Sequence, residues 1–306
     1  MSSISLPRAS FFSPAHTREG QNDQENIDAL YSCMELVRKC TPRIITLEQT
    51  FGITHDRHSQ HFWGLIAQFT DLGYSVRWKV VRLCTWGSFQ DRKRLIIIAS
   101  AAGERLPPFP QATHSESGGQ GLKKFATIEQ AIRGIHPGGR DLLHNLDNMQ
   151  KFHPRKAPYD ANKLAGTICT ASSCPHPSGT RELTLREMAC LQGFPKSHNF
   201  YGTRTEIKRQ IGNAFPSNTV EVLYKHLHEW LVNEDAGRIQ AEEDFIMIDS
   251  DSDISDSSPV RDLFFWLDAS PEMDEVIVID VEEDVVMAGG GNGLVARNGD
   301  GVIDLT

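Results

Sequence analysis

Glu48 closes a short aliphatic run, Arg43-Ile-Ile-Thr-Leu-Glu48, that reads as a buried strand ending in a carboxylate. Taken alone, such a group is more often a salt-bridged surface carboxylate than a catalytic one. Further on, Gln90-Asp-Arg92-Lys-Arg94 leads into a second run, Arg94-Leu-Ile-Ile-Ile-Ala99. Two arginines at i and i+2 of an extended segment project to one side, where both can address a base oxygen or a phosphate. Their bland alternative is a solvated pair flanking a strand. The six cysteines, Cys33, Cys40, Cys84, Cys169, Cys174 and Cys190, show no CxxC pair or regular spacing. Reduced, mostly buried thiols are therefore expected rather than a zinc site or a disulfide framework. The 12 histidines give no ligand spacing either, so no metal is assigned.

The elements that must position these residues alternate. Asn26 to Cys40 places Leu30, Met34, Leu36 and Val37 near helical spacing and stops before Pro42. The Glu48 strand follows, then a helix over His58 to Leu72, a strand over Tyr74 to Leu83, and Arg94 to Ala99. The continuous branched aliphatics of the last run predict a strand covered on both faces, and the alternation predicts an α/β sheet. From Gly103 to about Thr180 the pattern dissolves into Pro, Gly, His and Ser, which reads as a loop-rich insert. Order returns at Thr184-Leu-Arg-Glu187, a capping box opening a helix to about Gln192 before Gly193. Pro216 to Leu231, with Val220, Leu223, Leu227 and Leu231, is a last amphipathic helix.

Charge divides the chain. Residues 234–306 hold 20 acidic and 3 basic residues, which leaves 28 basic and 20 acidic in residues 1–233. A body of +8 suits a polyanionic partner such as DNA, whereas a tail of −17 is expected to be solvated and disordered. Three aliphatic runs sit within that acid: Phe245 to Asp253, with Ile246 and Ile248; Val276, Ile277, Val278 and Ile279 with the acids after them; and Val302, Ile303 and Leu305. Each is strand-prone without a turn and partner nearby, and so is suited to adding a strand to another protein's sheet edge. The plainer reading is an acidic spacer. No run of eighteen apolar residues and no signal or transit pattern is present, so a soluble intracellular protein with no membrane association is expected.

Four segments in order resemble the motif series of DNA (cytosine-5)-methyltransferases. Phe12-Ser13-Pro14-Ala15-His16 looks like the end of the nucleophile loop, and Glu48-Gln49-Thr50 is similar to the family's Glu-Asn-Val. Gln90-Asp-Arg92-Lys-Arg94 matches Gln-x-Arg-x-Arg. Arg181 to Pro195, together with Gln210-Ile-Gly-Asn213-Ala-Phe-Pro216, resembles the last two motifs. The Gln-Thr variant resembles the fungal branch linked with repeat-induced mutation and premeiotic methylation. The resemblance implies an α/β, Rossmann-like domain that uses S-adenosylmethionine, with residues 103–180 standing where the family's target-recognition region lies. It divides the chain into a second half of the catalytic core (1–102), the insert (103–180), a return to the core (181–233) and the acidic tail (234–306). By resemblance Glu48 addresses the ring of a flipped cytosine, with Arg94 and Arg92 at its O2 oxygen. Gln90, Arg92 and Arg94 face DNA, and Asn213 and Leu30 lie at the cofactor. The tail runs resemble SUMO-interacting motifs, and Ser250, Ser252, Ser255, Ser257 and Ser258 would add charge if phosphorylated. A nuclear location follows from these implied partners.

The departures are specific. Aligning Phe12-Ser13 puts Ala9 at the nucleophile and Ser10 at the following Gln, and nothing before residue 12 matches the strand and Gly-rich turn that cradle the cofactor. The expectation is a chain inactive by itself, either a truncated copy of a longer protein or a non-catalytic relative that binds DNA and recruits SUMO-modified partners. A half-sheet of this kind is also expected to fold poorly alone, because it would expose an unpaired edge.

Overall fold

The computed structural model describes residues 2–3, 12, 23–136, 141–147, 149–168, 170, 174–250 and 301–303. Its core is a five-stranded sheet in the order β1 (Ser2–Ser3), β2 (Ile44–Gln49), β4 (Lys93–Ser100), β3 (Ser75–Arg82), β7 (Gly301–Ile303). β4 runs antiparallel to both β2 and β3, while β1 pairs parallel with β2 and β7 pairs antiparallel with β3. Central placement explains the composition of β4. It hydrogen-bonds on both sides and is packed on both faces, and from Arg94 to Ser100 every residue is buried.

Strand alternation feeds two separate apolar layers. Ile45 and Leu47 of β2, with Leu95, Ile97 and Ala99 of β4, face helices α1 (Asp23–Cys40) and α2 (Ser59–Thr70). Both helices bury residues at i, i+3, i+4 and i+7: Leu30, Cys33, Met34 and Val37 on α1, and Phe62, Leu65, Ile66 and Phe69 on α2. Leu36 falls outside that stripe and is exposed. On the opposite face Ile44, Ile96 and Ile98 pack against Leu223 and Leu227 of α6 (Ser217–Ser250).

The insert is loop-rich, as its composition predicts, with a two-stranded pair, β5 (His114–Ser115) and β6 (Lys123–Lys124), and a short helix α3 (Ile128–Ile132). A third apolar cluster joins α3 to α4 (Leu185–Leu191) and α5 (Arg204–Asn213) through Ile128, Leu185, Met188, Ile207 and Ile211. Thr184 and Glu187 form the predicted capping box, and Gly193 follows α4 at φ +88°.

The carboxy-terminal boundary differs from the sequence reading. α6 does not end near Leu231 but continues to Ser250, so residues 234–250 are helical, and the expected disordered tail does not begin at Glu234. Ile246 and Ile248, expected in a strand-prone run, lie on that helix. Its extension includes three Glu and two Ala, good helix formers, and it is tied to the body. Arg43 meets both Glu104 and Asp235, Arg238 meets Glu104, and Arg105 meets Glu234. A second correction concerns Val302 and Ile303, which pair with the chain's own β3 rather than standing isolated. Val276, Ile277, Val278, Ile279 and Leu305 lie outside the described residues, as does Ala9.

Candidate base-binding site

The register of β2 against β4 builds the site. Glu48 lies opposite Ile96, which makes Arg94, two residues along β4, its diagonal neighbour on the same face. Arg94 Nε and Glu48 Oε1 meet at 2.5 Å, with both side chains below a tenth exposed. The approach is that of an ion pair without an aligned hydrogen bond between those two atoms. Arg94 Nη1 also donates to the Lys93 carbonyl at 2.7 Å. Further along the same face of β2, Thr46 Oγ1 and the Tyr224 hydroxyl are 2.8 Å apart, which ties this face to α6.

Gln90 and Arg92 are both buried, and their polar groups are spent on protein rather than presented to solvent. Gln90 Nε2 donates to the Leu191 carbonyl at 2.9 Å and to Gln192 Oε1 at 2.7 Å, and its Oε1 accepts from Ile168 N–H at 2.8 Å. Arg92 donates to the carbonyls of Ile168 at 3.3 Å and Gly212 at 3.2 Å. Gln192 in turn donates to the Ala214 carbonyl. These bonds fasten the insert at 165–168, the end of α4 and the end of α5 to the chain just before β4. The Gln-x-Arg-x-Arg segment is thereby split: Gln90 and Arg92 anchor the scaffold, and Arg94 meets Glu48. A buried glutamine without a nearby sequence partner is the signal for such a joint, but its partners lie about a hundred residues away.

Gln49 faces the other side of β2 and is buried. Its Oε1 accepts from Thr50 N–H at 2.8 Å, while its Nε2 has no hydrogen-bond partner among the described residues. Arg92 Nε is likewise buried without a hydrogen bond. Phe12, the one described residue of the predicted nucleophile-loop remnant, is fully buried against the rings of His58 and His61, at 5.3 and 5.6 Å between centroids.

Leu30 lies on the inward face of α1. It belongs to the buried stripe of α1 and is spent on the core. Asn213, the last residue of α5, is exposed. Three of the described thiols are buried cysteines with raised pKa values. Burial pushes Cys33 up to about 11 and raises Cys84 and Cys190, the opposite of what a reactive thiolate needs. Among the described residues there is no group of His, Cys, Asp and Glu that could hold a metal ion, and no helix is long and apolar enough to cross a membrane.

A buried carboxylate and guanidinium set side by side at the strand ends suit a protein that reads the polar edge of a planar ring. A family model described as C-5 cytosine-specific DNA methylase matches residues 10–131 and 114–229, and the chain belongs to that family. It is similar to the Type II methyltransferase M.NgoFVII of Neisseria gonorrhoeae, 29% identical, with 66% of this chain and 66% of the relative covered. It is also similar to the Type II methyltransferase M.MthTI of Methanothermobacter thermautotrophicus, 26% identical, covering 64% and 69%. The chain thus spans about two thirds of the length of these relatives. In fold it is similar to a crystal structure from E. coli described as a candidate DNA modification methyltransferase encoded within a prophage. The TM-score is 0.54 at 18% identity, covering 68% of this chain and 75% of that one.

Proposed function

We propose that this chain carries the target-base side of a DNA (cytosine-5)-methyltransferase, and that it binds duplex DNA through its phosphates and receives an extruded cytosine at Glu48 and Arg94 without itself transferring a methyl group. The observation that carries this reading is the diagonal Glu48–Arg94 pair. Cytosine offers a donor at N4 and acceptors at N3 and O2 along one edge. A carboxylate accepts from N4 and shares a proton with N3, and a neighbouring guanidinium donates to O2. Only an extruded base can reach a buried pair of this kind. Gln90 and Arg92 act as positioning residues that hold the insert against β4. The family uses S-adenosylmethionine as methyl donor, which supplies the methyl group when bound; Asn213 is the residue here that supports a contribution to its site.

Two features favour the non-catalytic form: Ala9 at the position of the thiol, and the burial of Cys33, Cys84 and Cys190. Glu48-Gln49-Thr50 supports placement in the fungal branch linked with repeat-induced mutation, and with it a nuclear location. The acid-flanked aliphatic runs at residues 276–279 and 302–305 support SUMO or SUMO-modified proteins as partners.

Duplex binding and methyl transfer measured on the same protein test the reading. The expected result is binding that weakens steeply with salt, as phosphate contacts require, and no incorporation from labelled S-adenosylmethionine. A flat salt response would sink the DNA reading. Turnover would overturn the assignment of Ala9.

A further inference from the structure

β3 would be the outer edge of the sheet were it not for Gly301–Ile303. The register is antiparallel, with Val76 opposite Ile303, Arg77 opposite Val302 and Trp78 opposite Gly301. Ile303 is half-buried against the same apolar layer that contains Val76 and Trp78. An open edge of this length, backed by an apolar layer, is a template for pairing with any extended chain, and here the chain's own end occupies it. The occupying residues belong to the acid-flanked aliphatic segment whose composition suits strand addition to another protein's sheet. Ile303 cannot pack on its own core and fill a groove on a partner at the same time.

We infer that the carboxy-terminal strand is an intramolecular cover for the β3 edge, exchanged between the chain's own sheet and the sheet edge of a partner with a basic rim. In the covered state the last aliphatic segment is withheld from partners and β3 is protected. When a partner takes the strand, β3 is opened. The partner half of this inference rests on the SUMO reading above, and the cover half does not.

Hydrogen–deuterium exchange on the full chain tests both halves. Ile303→Asp sets a charge against the apolar layer, and a chain ending at Asp300 removes the strand altogether. In both, the amides within residues 76–78 that point towards β7 are expected to exchange about tenfold faster, while those of the central strand β4, which report on folding, stay at their native rate. Unchanged exchange at 76–78 in the chain ending at Asp300 would overturn the cover. Adding free SUMO to the native chain is expected to protect residues 301–306 and to speed exchange at 76–78 towards the rate of the variant. Protection of 301–306 with 76–78 still slow would overturn the exchange between sheets. No protection of 301–306 would refute the SUMO reading and the partner half with it, while the two variants judge the cover independently.

Discussion

Arg94 Nε lies 2.5 Å from Glu48 Oε1, across two antiparallel strands and almost wholly out of solvent. Two buried charges that depend on each other make the stability of the strand ends conditional on the pair. Removing one partner leaves the other charge without its counter-ion, whereas removing both need not. Glu48→Leu or Arg94→Leu alone should each cost about 3–5 kcal/mol. The double variant Glu48→Leu with Arg94→Leu should lie within about 1 kcal/mol of native, because apolar groups of similar volume replace a costly ion pair. Urea unfolding of the two single variants and the double variant, read as a cycle, checks this.

Gln90 joins three chain segments through three hydrogen bonds, with no exposed surface of its own. Gln90→Ala leaves the Ile168 N–H and the Gln192 side chain short of a partner in the interior. A loss of about 2–3 kcal/mol follows, since buried groups left unsatisfied carry their full desolvation cost. Denaturant unfolding gives the value, and faster proteolysis near Ile168 would show that the insert has come loose.

Gly193 follows α4 at φ +88°, and a Cβ there would sit 2.9 Å from Asn218 Oδ1 and 3.2 Å from Ser217 N. Gly193→Ala therefore combines an unfavourable backbone with a push on the start of α6. A cost of about 1–2 kcal/mol is expected from the left-handed backbone alone. A thermal melt of the variant tests it, and an unchanged midpoint would contradict the geometry.

Much of this scaffold is legible in the residues, and the failures have physical causes. Thr184 and Glu187 announce α4 because a capping box is local, with both of its bonds spanning three residues. The same signal stands at Thr203 and Glu206 before α5, and at Thr127 and Gln130 before α3, and would have located both of those helices. The two faces of β4 follow from its unbroken aliphatics. By contrast the length of α6 depends on Arg43 and Glu104, far away in sequence, and an acidic composition read locally points to a disordered tail instead. The pairing of Arg94 with Glu48 follows from strand register, which no local pattern specifies, and so does the separation of Arg92 from Arg94 in role.

Glu187 predicts a pH dependence. Burial raises its pKa, but the Arg181 guanidinium, the Thr184 N–H and the neighbouring charges outweigh burial and hold the carboxyl below its ordinary 4.5. A group depressed in the folded state contributes stability above its unfolded pKa and loses it as pH falls through the folded value. The chain should therefore lose stability progressively below pH 4.5, and Glu187→Gln should be less stable near neutrality with a flatter acid limb. Melting points measured from pH 7 down to pH 3 check the sign.

The central claim, that Glu48 and Arg94 receive an extruded cytosine, is tested most directly with 2-aminopurine placed beside a single cytosine in a duplex. Its fluorescence rises when the neighbouring base leaves the stack. The native chain should raise the signal several-fold at saturation, and the Glu48→Leu, Arg94→Leu double variant should bind the same duplex through its phosphates without raising it. No rise with the native chain bound, or an equal rise with the double variant, would contradict the account.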